Sequence, residues 1–285
     1  MRNQTLANYS ARISRAVALI EQTPPGEAPP PLADLAAAAS LSPFHFNRIF
    51  RLMTGETVGA ACQRLRLARN LSALADTGLS VTEASAGAGY ATSQAYGRAL
   101  RRVAGASASD LRSGSASMAH VSSSLSRSSG TGAPLSIEIV SLAPFQVLAL
   151  RRQGPYEHLD EGYNELFSRV FAQVEPERLL GIWGVPLDDQ RSVDGDSALF
   201  DCALAIDGAV KVENTAELTL GGFDALSALH TGSYDAVQSS LDRLYRSTVE
   251  GRLELADMPP LIHYHNQPDE KPEEELRAIL YLPVA

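Results

Sequence analysis

The stretch SPFHFNRIFRLMT, from Ser42 to Thr54, has the features of one short amphipathic helix. Its serine suits the N-cap position, and the proline that follows suits the first helical position. Four apolar residues recur at helical spacing and form one face: Phe46, Ile49, Phe50 and Met53. A second face carries Phe44, Asn47, Arg48 and Arg51. Because arginine can bond guanine bidentately and asparagine can bond adenine in the same way, this helix has the chemistry needed to read the major groove of DNA.

A short alanine-rich segment before this helix favours a two-helix motif. LADLAAAAS, which ends at Ser40, places small and apolar residues on one face: Leu32, Leu35, Ala36 and Ala39. A tight turn at Ser40 and Leu41 joins the two segments. This is the pattern of a helix-turn-helix, whose second helix enters the major groove. An ordinary helical hairpin in a protein core has the same apolar spacing, so the stretch alone leaves both interpretations open.

The same pattern recurs about fifty residues further along, in VTEASAGAGYATSQAYGRALRRVAG. The corresponding positions are Ala36 and Ala86, Phe46 and Tyr96, Arg48 and Arg98, Phe50 and Leu100, Arg51 and Arg101, and Gly55 and Gly105. The exposed set of this second copy is Ser93, Gln94, Gly97 and Arg98. Thr57 to Asp76 is predicted to be one long helix that fixes the distance between the copies. Since successive major-groove faces lie about 34 Å apart, one chain with two such helices can contact two turns of DNA.

These residues resemble the DNA-binding domain of the AraC/XylS-type transcription regulators. The resemblance covers roughly Ser10 to Arg112 and rests on SPFHFNRIFRLMTGETV, RLRLARN and GYATSQAYGRALRRVAG. It implies base contacts from both reading helices, by Phe44, Asn47, Arg48, Ser93, Gln94 and Arg98. With Arg51 from the polar face, these are the candidate DNA-binding residues. Two positions depart from the family pattern. Ala108 replaces the usual proline, and Gly97 lies inside the second reading helix, where glycine costs about 1 kcal/mol relative to alanine.

The length and composition of the chain suit two globular domains. Its 285 residues are 45% hydrophobic, which is enough for a core in each domain. No apolar run approaches the roughly 20 residues that span a bilayer, and the polar N-terminal segment is not typical of a signal peptide. Cys62 and Cys202 fall in different predicted domains, so neither a disulfide framework nor a zinc site is expected. We expect a cytoplasmic protein with no cofactor, no metal and no membrane partner.

Charge is divided unequally along the chain. Met1 to Gly132 contains 13 arginines and 7 acidic residues, whereas Ala133 to Ala285 contains 11 basic and 26 acidic residues. The basic half is the predicted DNA-binding half, since phosphate contacts supply much of the affinity for DNA. The acidic half should repel DNA and must have another role, although acidic charge also keeps a domain soluble.

Three segments are predicted: a DNA-binding domain at 8–112, a flexible Ser/Gly-rich linker at 113–134 and a second domain at 135–285. In the second domain, RQGPYEHLDEGYNELFSR and HTGSYDAVQSSLDRLYRS align at an offset of 78 residues. Strands flank each of these helices, which predicts two copies of a β-β-α-β-β unit in an antiparallel α+β domain with pseudo-two-fold symmetry. The predicted fold is therefore an all-α N-terminal domain, with two helix-turn-helix motifs joined by a linker helix, followed by this α+β domain.

The second domain resembles the GyrI-like small-molecule-binding domain, also called the effector-binding domain. The resemblance rests on two Gly-x-Tyr turns, the GIWGV strand and the ending PEEELRAILYLPV, and it implies a cleft for hydrophobic, often cationic, compounds. Multidrug-binding members carry a glutamate where this chain has Ile262, so a neutral or aromatic ligand is expected instead. The candidate ligand-binding residues are Phe145, Tyr163, Trp183, Ile262 and Tyr264. His263 and His265 share one face of a strand and are interpreted as cleft-wall or surface residues rather than as a metal pair.

The combination predicts a bacterial, sequence-specific transcription regulator whose C-terminal cleft binds a small hydrophobic or aromatic effector. Its expected partners are double-stranded promoter or operator DNA, the effector and RNA polymerase. Two other functions stay open from the sequence. One is a small-molecule hydrolase, or a drug-sequestering protein, that uses the GyrI-like cleft and Trp183. The other is a protein-binding module formed by the acidic domain.

Overall fold

The computed structural model describes residues 3–24, 27–75, 80–104, 137–193, 195–251 and 253–285. The predicted linker at 113–134 lies outside these residues, as does the end of the predicted DNA-binding domain. The chain forms two compact units. The first contains Met1–Tyr9, Ser42–Ile49 and Thr131–Ala285, and the second contains Ser10–Leu41 and Phe50–Gly130. The first half of the first reading helix therefore belongs to the same unit as the C-terminal sheet.

In its described residues, the N-terminal part is helical, as predicted. Its helices are α1 (Asn3–Gln22), α2 (Leu32–Ala38), α3 (Pro43–Thr54), α4 (Val58–Ala75), α5 (Val81–Gly87) and α6 (Ser93–Ala104). The turn after α2 contains Ser40 with φ 54°, and the turn after α5 contains Gly89 with φ 69°. α5 begins with a capping box, in which the side chains of Ser80 and Glu83 bond each other's backbone N–H groups. At the start of α3, the buried Ser42 hydroxyl has no hydrogen-bond partner within the described chain, so the predicted N-cap bond is not made there.

The two helix-turn-helix copies are not evenly spaced. α5 begins 49 residues after α2, whereas α6 begins 50 residues after α3. Ala36 therefore corresponds to Ser85 rather than to Ala86, and both Ala36 and Ser85 are buried. The second turn contains one additional residue. The sequence alone could not locate this insertion because alanines recur at several neighbouring positions.

The second copy has a small apolar core. Tyr96 and Leu100 of α6 are fully buried, and they pack with Leu67 of α4 and Ala84 of α5. The ring of Tyr90 lies edge-on to that of Tyr96, with centroids 5.4 Å apart. This core fixes the direction in which the opposite, polar face of α6 points.

The C-terminal part is an antiparallel sheet of eight strands with two helices. The strands are β1 (Ile137–Leu142), β2 (Phe145–Gln153), β3 (Leu179–Pro186), β4 (Leu199–Ile206), β5 (Ala216–Leu220), β6 (Phe223–Thr231), β7 (Leu261–Tyr264) and β8 (Arg277–Val284). The helices are α7 (Leu159–Phe171) and α8 (Val237–Gly251). The order across the sheet is β1-β6-β8-β7-β3-β4-β2-β5. The first strand of each repeat therefore pairs with the other repeat, β1 with β6 and β5 with β2.

The repeat is preserved in the hydrogen bonds of equivalent tyrosines. The hydroxyl of Tyr156 donates to the carbonyl of Asp188, and that of Tyr234 donates to the carbonyl of Asn266, both at 2.8 Å. Each bond joins residues 32 positions apart. The glycines of the two Gly-x-Tyr turns both have positive φ, at 139° and 107°. The repeat read from the sequence is thus a repeat of structure.

Within the described part of the chain, no helix is both long and apolar enough to cross a membrane. Cys62 and Cys202 are free thiols, and burial raises the pKa of the Cys202 thiol to about 12.

Candidate functional site

The polar face of α6 is open to solvent. The three candidate DNA-binding residues of this helix, Ser93, Gln94 and Arg98, are exposed. Two further arginines, Arg101 and Arg102, lie exposed in the last turn. The helix therefore presents hydrogen-bonding groups and positive charge on one side, which is the arrangement that contact with bases and phosphates requires.

The equivalent face of α3 is largely buried. Asn47 and Arg48 are each 2% exposed, whereas Phe44 and Arg51 keep partial exposure. The side-chain carbonyl of Asn47 has no hydrogen-bond partner within the described chain. Two of the four candidate DNA-binding residues of α3 thus lie in the interior of the first unit.

The side chain of Arg48 is bound by residues on one face of α8. Its guanidinium donates to Asp242 Oδ1 at 2.9 Å and to Gln238 Oε1 at 2.8 Å. The guanidinium carbon lies 5.1 Å from the ring centroid of Tyr245, a distance typical of a cation–π contact. Burial alone would lower the pKa of Arg48, but the nearby Asp189, Tyr245 and Asp242 raise it above its ordinary value.

His45 lies on the same side of α3 as Arg48, and both of its ring nitrogens have hydrogen-bond partners. Nε2 is 2.8 Å from the carbonyl oxygen of Ala256, and Nδ1 is 2.7 Å from the hydroxyl of Tyr245. Since a carbonyl can only accept, Nε2 carries the proton and Nδ1 accepts from the tyrosine. Burial, with a smaller contribution from Arg48, lowers the pKa of His45 to about 4. The histidine is therefore neutral at physiological pH.

A cavity of about 610 Å³ lies in the first unit. Its wall includes Phe145, Leu148, Leu180, Trp183 and His263. Leu180 is 67% exposed, which leaves a large apolar side chain at the rim. Lys211 and Glu217 also contribute to the lining, and both are exposed. The cavity thus has an apolar interior and two opposite charges near solvent.

Trp183 forms an aromatic platform with its neighbours. Its ring is stacked on that of His263, with centroids 4.2 Å apart and planes 4° from parallel. The ring of Phe145 also contacts Trp183, with centroids 4.6 Å apart and planes tilted by 43°. Burial, and to a smaller extent the nearby His265, lowers the pKa of His263 to about 4. The platform is therefore uncharged at neutral pH. Trp183 itself is only 6% exposed, so the ring of the platform that a planar ligand can reach is that of the partly exposed His263.

The five candidate ligand-binding residues lie on two different faces of the sheet. Phe145 and Trp183 line the cavity. Ile262 is paired with Gly184 and Tyr264 with Ile182, so by strand alternation they point away from the Trp183 face. Tyr163, on α7, packs with Tyr264 at a centroid distance of 5.8 Å, and its hydroxyl donates to the Trp183 carbonyl. The cavity-lining residues do not include these three.

Sequence reasoning did not include His263 in the ligand-binding set. It lies directly opposite Trp183 in the β3–β7 pair, but the register of two strands about 80 residues apart in sequence is not readable from residue types. The first glycine of the GIWGV motif was a sequence feature that could have indicated this contact. A Cβ at Gly181 would lie 2.9 Å from His263 Nε2 and 3.1 Å from Trp183 Nε1, so this glycine makes room for the stacked pair.

Two family models match separate parts of the chain. Residues 135–285 match the GyrI-like small-molecule-binding domain, and residues 35–114 match a helix-turn-helix domain. The bifunctional transcriptional activator/DNA repair enzyme Ada of Escherichia coli (strain K12) is 36% identical over 108 residues, which is 38% of this chain and 29% of Ada. The chain thus matches less than a third of that relative's length.

Two solved structures match part of the chain. An EcmrR–DNA complex is 14% identical, with a TM-score of 0.45, over 53% of this chain and 57% of that chain. A hydrolase from Listeria innocua is also 14% identical, with a TM-score of 0.39, over 52% of this chain and 91% of that chain. The helical N-terminal part, the eight-stranded sheet and the two matched domains lead to one assignment: the chain belongs to the GyrI-like small-molecule-binding family and carries an AraC-type helix-turn-helix domain.

Proposed function

We propose that this protein is a ligand-responsive transcription regulator in which α3 and α6 read promoter DNA and the Trp183 cavity binds a planar, uncharged aromatic effector. The observation that carries the effector half is the stacked pair of Trp183 and His263 in the cavity wall. The proposed DNA contacts are Phe44, Asn47, Arg48, Arg51, Ser93, Gln94 and Arg98. The proposed domains are 8–112 and 135–285, with 113–134 as the linker.

The chemistry of the cavity supports an uncharged ligand. His263 is neutral at pH 7, and Phe145 and Val147, on the same face of the sheet as Trp183, add apolar surface. The carboxylate of Glu217 is exposed, so a cation buried against Trp183 would lose its hydration without gaining a buried partner. An aromatic compound with a polar edge directed toward Lys211 and Glu217 fits this distribution of groups.

The effector half can be tested with the protein's own fluorescence. Trp183 is the only tryptophan in the chain, so quenching by a panel of planar aromatic compounds reports on this site alone. We expect His263→Ala to weaken the binding of any quenching compound about tenfold, because one stacking surface is removed. Tyr264→Phe, on the opposite face of the same strand, is the matched control and should bind as the wild type does. Equal affinity in both variants would contradict the assignment of the ligand to this cavity.

The DNA half can be tested by fluorescence anisotropy on the DNA upstream of the protein's own coding sequence, with random DNA as competitor. Arg98→Ala should cost about 1–3 kcal/mol of specific binding if Arg98 contacts a base. Arg178→Ala, which removes an arginine from the C-terminal domain, controls for net charge. Transcription from the same template, with and without a quenching compound, would test RNA polymerase as the third partner.

The main alternative is a small-molecule hydrolase or a drug-sequestering protein. A hydrolase needs a positioned acid or base near the bound substrate. Among the described residues that line the cavity, the acid–base groups are Glu217 and Lys211, which are both exposed, and His263, whose ring is stacked on Trp183. Mass spectrometry of each quenching compound after prolonged incubation separates the possibilities, because a regulator returns the compound unchanged.

A further inference from the structure

The side chain of Arg48 lies in a site that surrounds its guanidinium as a binding site surrounds a ligand. Its guanidinium donates hydrogen bonds to a carboxylate oxygen of Asp242 and to the amide oxygen of Gln238, and it lies over the aromatic face of Tyr245. These are three kinds of partner that a planar guanidinium prefers, and the two hydrogen bonds are close to ideal length. Arg48 is 2% exposed and Gln238 is 8% exposed, so most of the contact is shielded from solvent.

The site around Arg48 is organised by further hydrogen bonds. Asp242 accepts from Arg191 at 2.8 Å as well as from Arg48. Arg191 also bonds the buried Asp189, whose other oxygen accepts from Ser192 at 3.1 Å. The carboxylate that holds Arg48 therefore has a second basic partner, Arg191, which orients it. Such preorganisation lowers the entropy cost of binding.

A second contact from α3 strengthens the first. His45 and Arg48 are three residues apart and thus lie on the same side of the helix. His45 bonds the hydroxyl of Tyr245 and the carbonyl of Ala256, so the ring of Tyr245 contacts both residues. Together these groups attach the first turns of α3 to α8.

Occupation of this site and contact with DNA are mutually exclusive for Arg48. The N–H groups of the Arg48 guanidinium that donate to Asp242 and Gln238 are the same N–H groups that would donate to guanine. With 2% of Arg48 exposed, no base edge can reach it. The equivalent arginine of the second reading helix, Arg98, is exposed and is not subject to this competition.

We propose that Gln238, Asp242 and Tyr245, supported by Asp189, form a guanidinium-binding site whose occupant is Arg48, and that this site competes with DNA for the first reading helix. The inference rests on the proposed function, in which α3 reads DNA. We call the state in which Arg48 occupies this site the docked state. In the docked state, α6 is the one reading helix that is available to DNA. Full, two-helix reading requires Arg48 to leave α8, so the apparent affinity for DNA is the intrinsic affinity multiplied by the fraction of molecules that are undocked.

The test compares Asp242→Asn with Asp160→Asn in the full chain. Asp160 is an exposed residue of α7, so both variants remove one negative charge from the C-terminal domain. Asp242→Asn also removes the charged partner of Arg48. We expect the peptide 42–54 to exchange its amide hydrogens about tenfold faster in Asp242→Asn, and the upstream DNA to bind about tenfold more tightly, than in Asp160→Asn. Gln238→Ala should change both quantities in the same direction and serves if Asp242→Asn folds poorly.

The two measurements separate the site from its consequence. Unchanged hydrogen exchange in both variants would overturn the guanidinium site, whatever the DNA result. Faster exchange with unchanged DNA affinity would overturn the competition. Adding Arg48→Ala to Asp242→Asn then tests the underlying function. Loss of the gained affinity supports base reading by α3, and no loss overturns α3 as a reading helix while leaving the guanidinium site in place.

Discussion

Two arginines at equivalent positions have opposite environments. Arg48 is buried against α8, whereas Arg98 is exposed on α6. The sequence indicates both as DNA-reading residues because residue type and helical spacing are local properties. It could not indicate the burial of Arg48, because its partner Asp242 is 194 positions away. Residue identity therefore predicted the chemistry of the site, and the tertiary contact determines whether that chemistry is available.

A glycine inside the second reading helix gives a prediction for α6. A Cβ at Gly97 would meet no heavy atom within 4 Å, and no positive φ is required there. Gly97→Ala should therefore raise the free energy of unfolding by up to about 1 kcal/mol, because alanine loses less backbone entropy in a helix. Urea unfolding followed by circular dichroism measures the change.

Gly154→Ala is the matched control for that variant. Space is also open around Gly154, but its φ is 139°, a conformation that L side chains rarely adopt. This substitution should destabilise the protein. If Gly97→Ala were as destabilising as Gly154→Ala, the assignment of position 97 to a regular, unstrained helix would be incorrect.

The two glycines of β3 give a prediction for the cavity. A Cβ at Gly181 would press on the stacked pair of Trp183 and His263, whereas a Cβ at Gly184 would lie 2.5 Å from Phe200 Cζ on the other face. Gly181→Ala should shift the emission maximum of Trp183 because the His263 ring must move. Gly184→Ala should leave the emission maximum unchanged but destabilise the fold by about 1–3 kcal/mol through overpacking. An emission shift in Gly184→Ala alone would contradict the facing of the two glycines.

Helices and strands were largely predictable, whereas their partners were not. The 3.6-residue period identified α3, and recurrence of the same pattern identified α6. Alignment of the segments that contain α7 and α8, at an offset of 78 residues, identified the repeat. The pairing of β1 with β6 and of β5 with β2 was not predicted. β1 and β5 are the two edge strands of the sheet, and each pairs with a strand of the other repeat, a long-range contact that residue types do not show. For the same reason, the division of the five candidate ligand residues between two faces needed the observed register.

The exchange of first strands makes the two repeats interdependent. A fragment of residues 135–212 retains β1 but loses its partner β6, and it also loses β5, which covers the edge of β2. We expect this fragment and the fragment 213–285 to be unfolded when separate and to recover strand signal when mixed. Circular dichroism and dispersion of amide proton signals would show this. A well-dispersed spectrum from either fragment alone would mean that each repeat folds independently.

For the molecule as a whole, the unequal charge distribution has a second consequence. The acidic half was expected to repel DNA, but its carboxylates also provide a partner for a basic side chain of the N-terminal half. Asp242 bonds Arg48 from that half and Arg191 from its own. Net charge by itself could not predict this contact, which depends on one carboxylate held at one position of α8.

The last prediction concerns the pH dependence of this contact. The pKa of His45 is about 4 in the docked state, against 6.5 when free. A histidine with a lowered pKa stabilises the docked state while it is neutral, and this stability is lost as pH falls below 6.5 toward 4. The change is at most about 1.4 kcal/mol per pH unit. The charged groups that act on His45 are Arg48, which opposes its protonation, and Asp257, which favours it.

Amide exchange of the peptide 42–54, corrected for the intrinsic rate, should therefore accelerate between pH 7 and pH 5.5. His45→Gln is the control, because its amide can still donate to the Ala256 carbonyl but cannot titrate, so its exchange should be independent of pH over this range. A pH response of equal size in wild type and His45→Gln would exclude His45 as its source. A response that His45→Gln abolishes would mean that one buried histidine makes release of the first reading helix sensitive to mild acid.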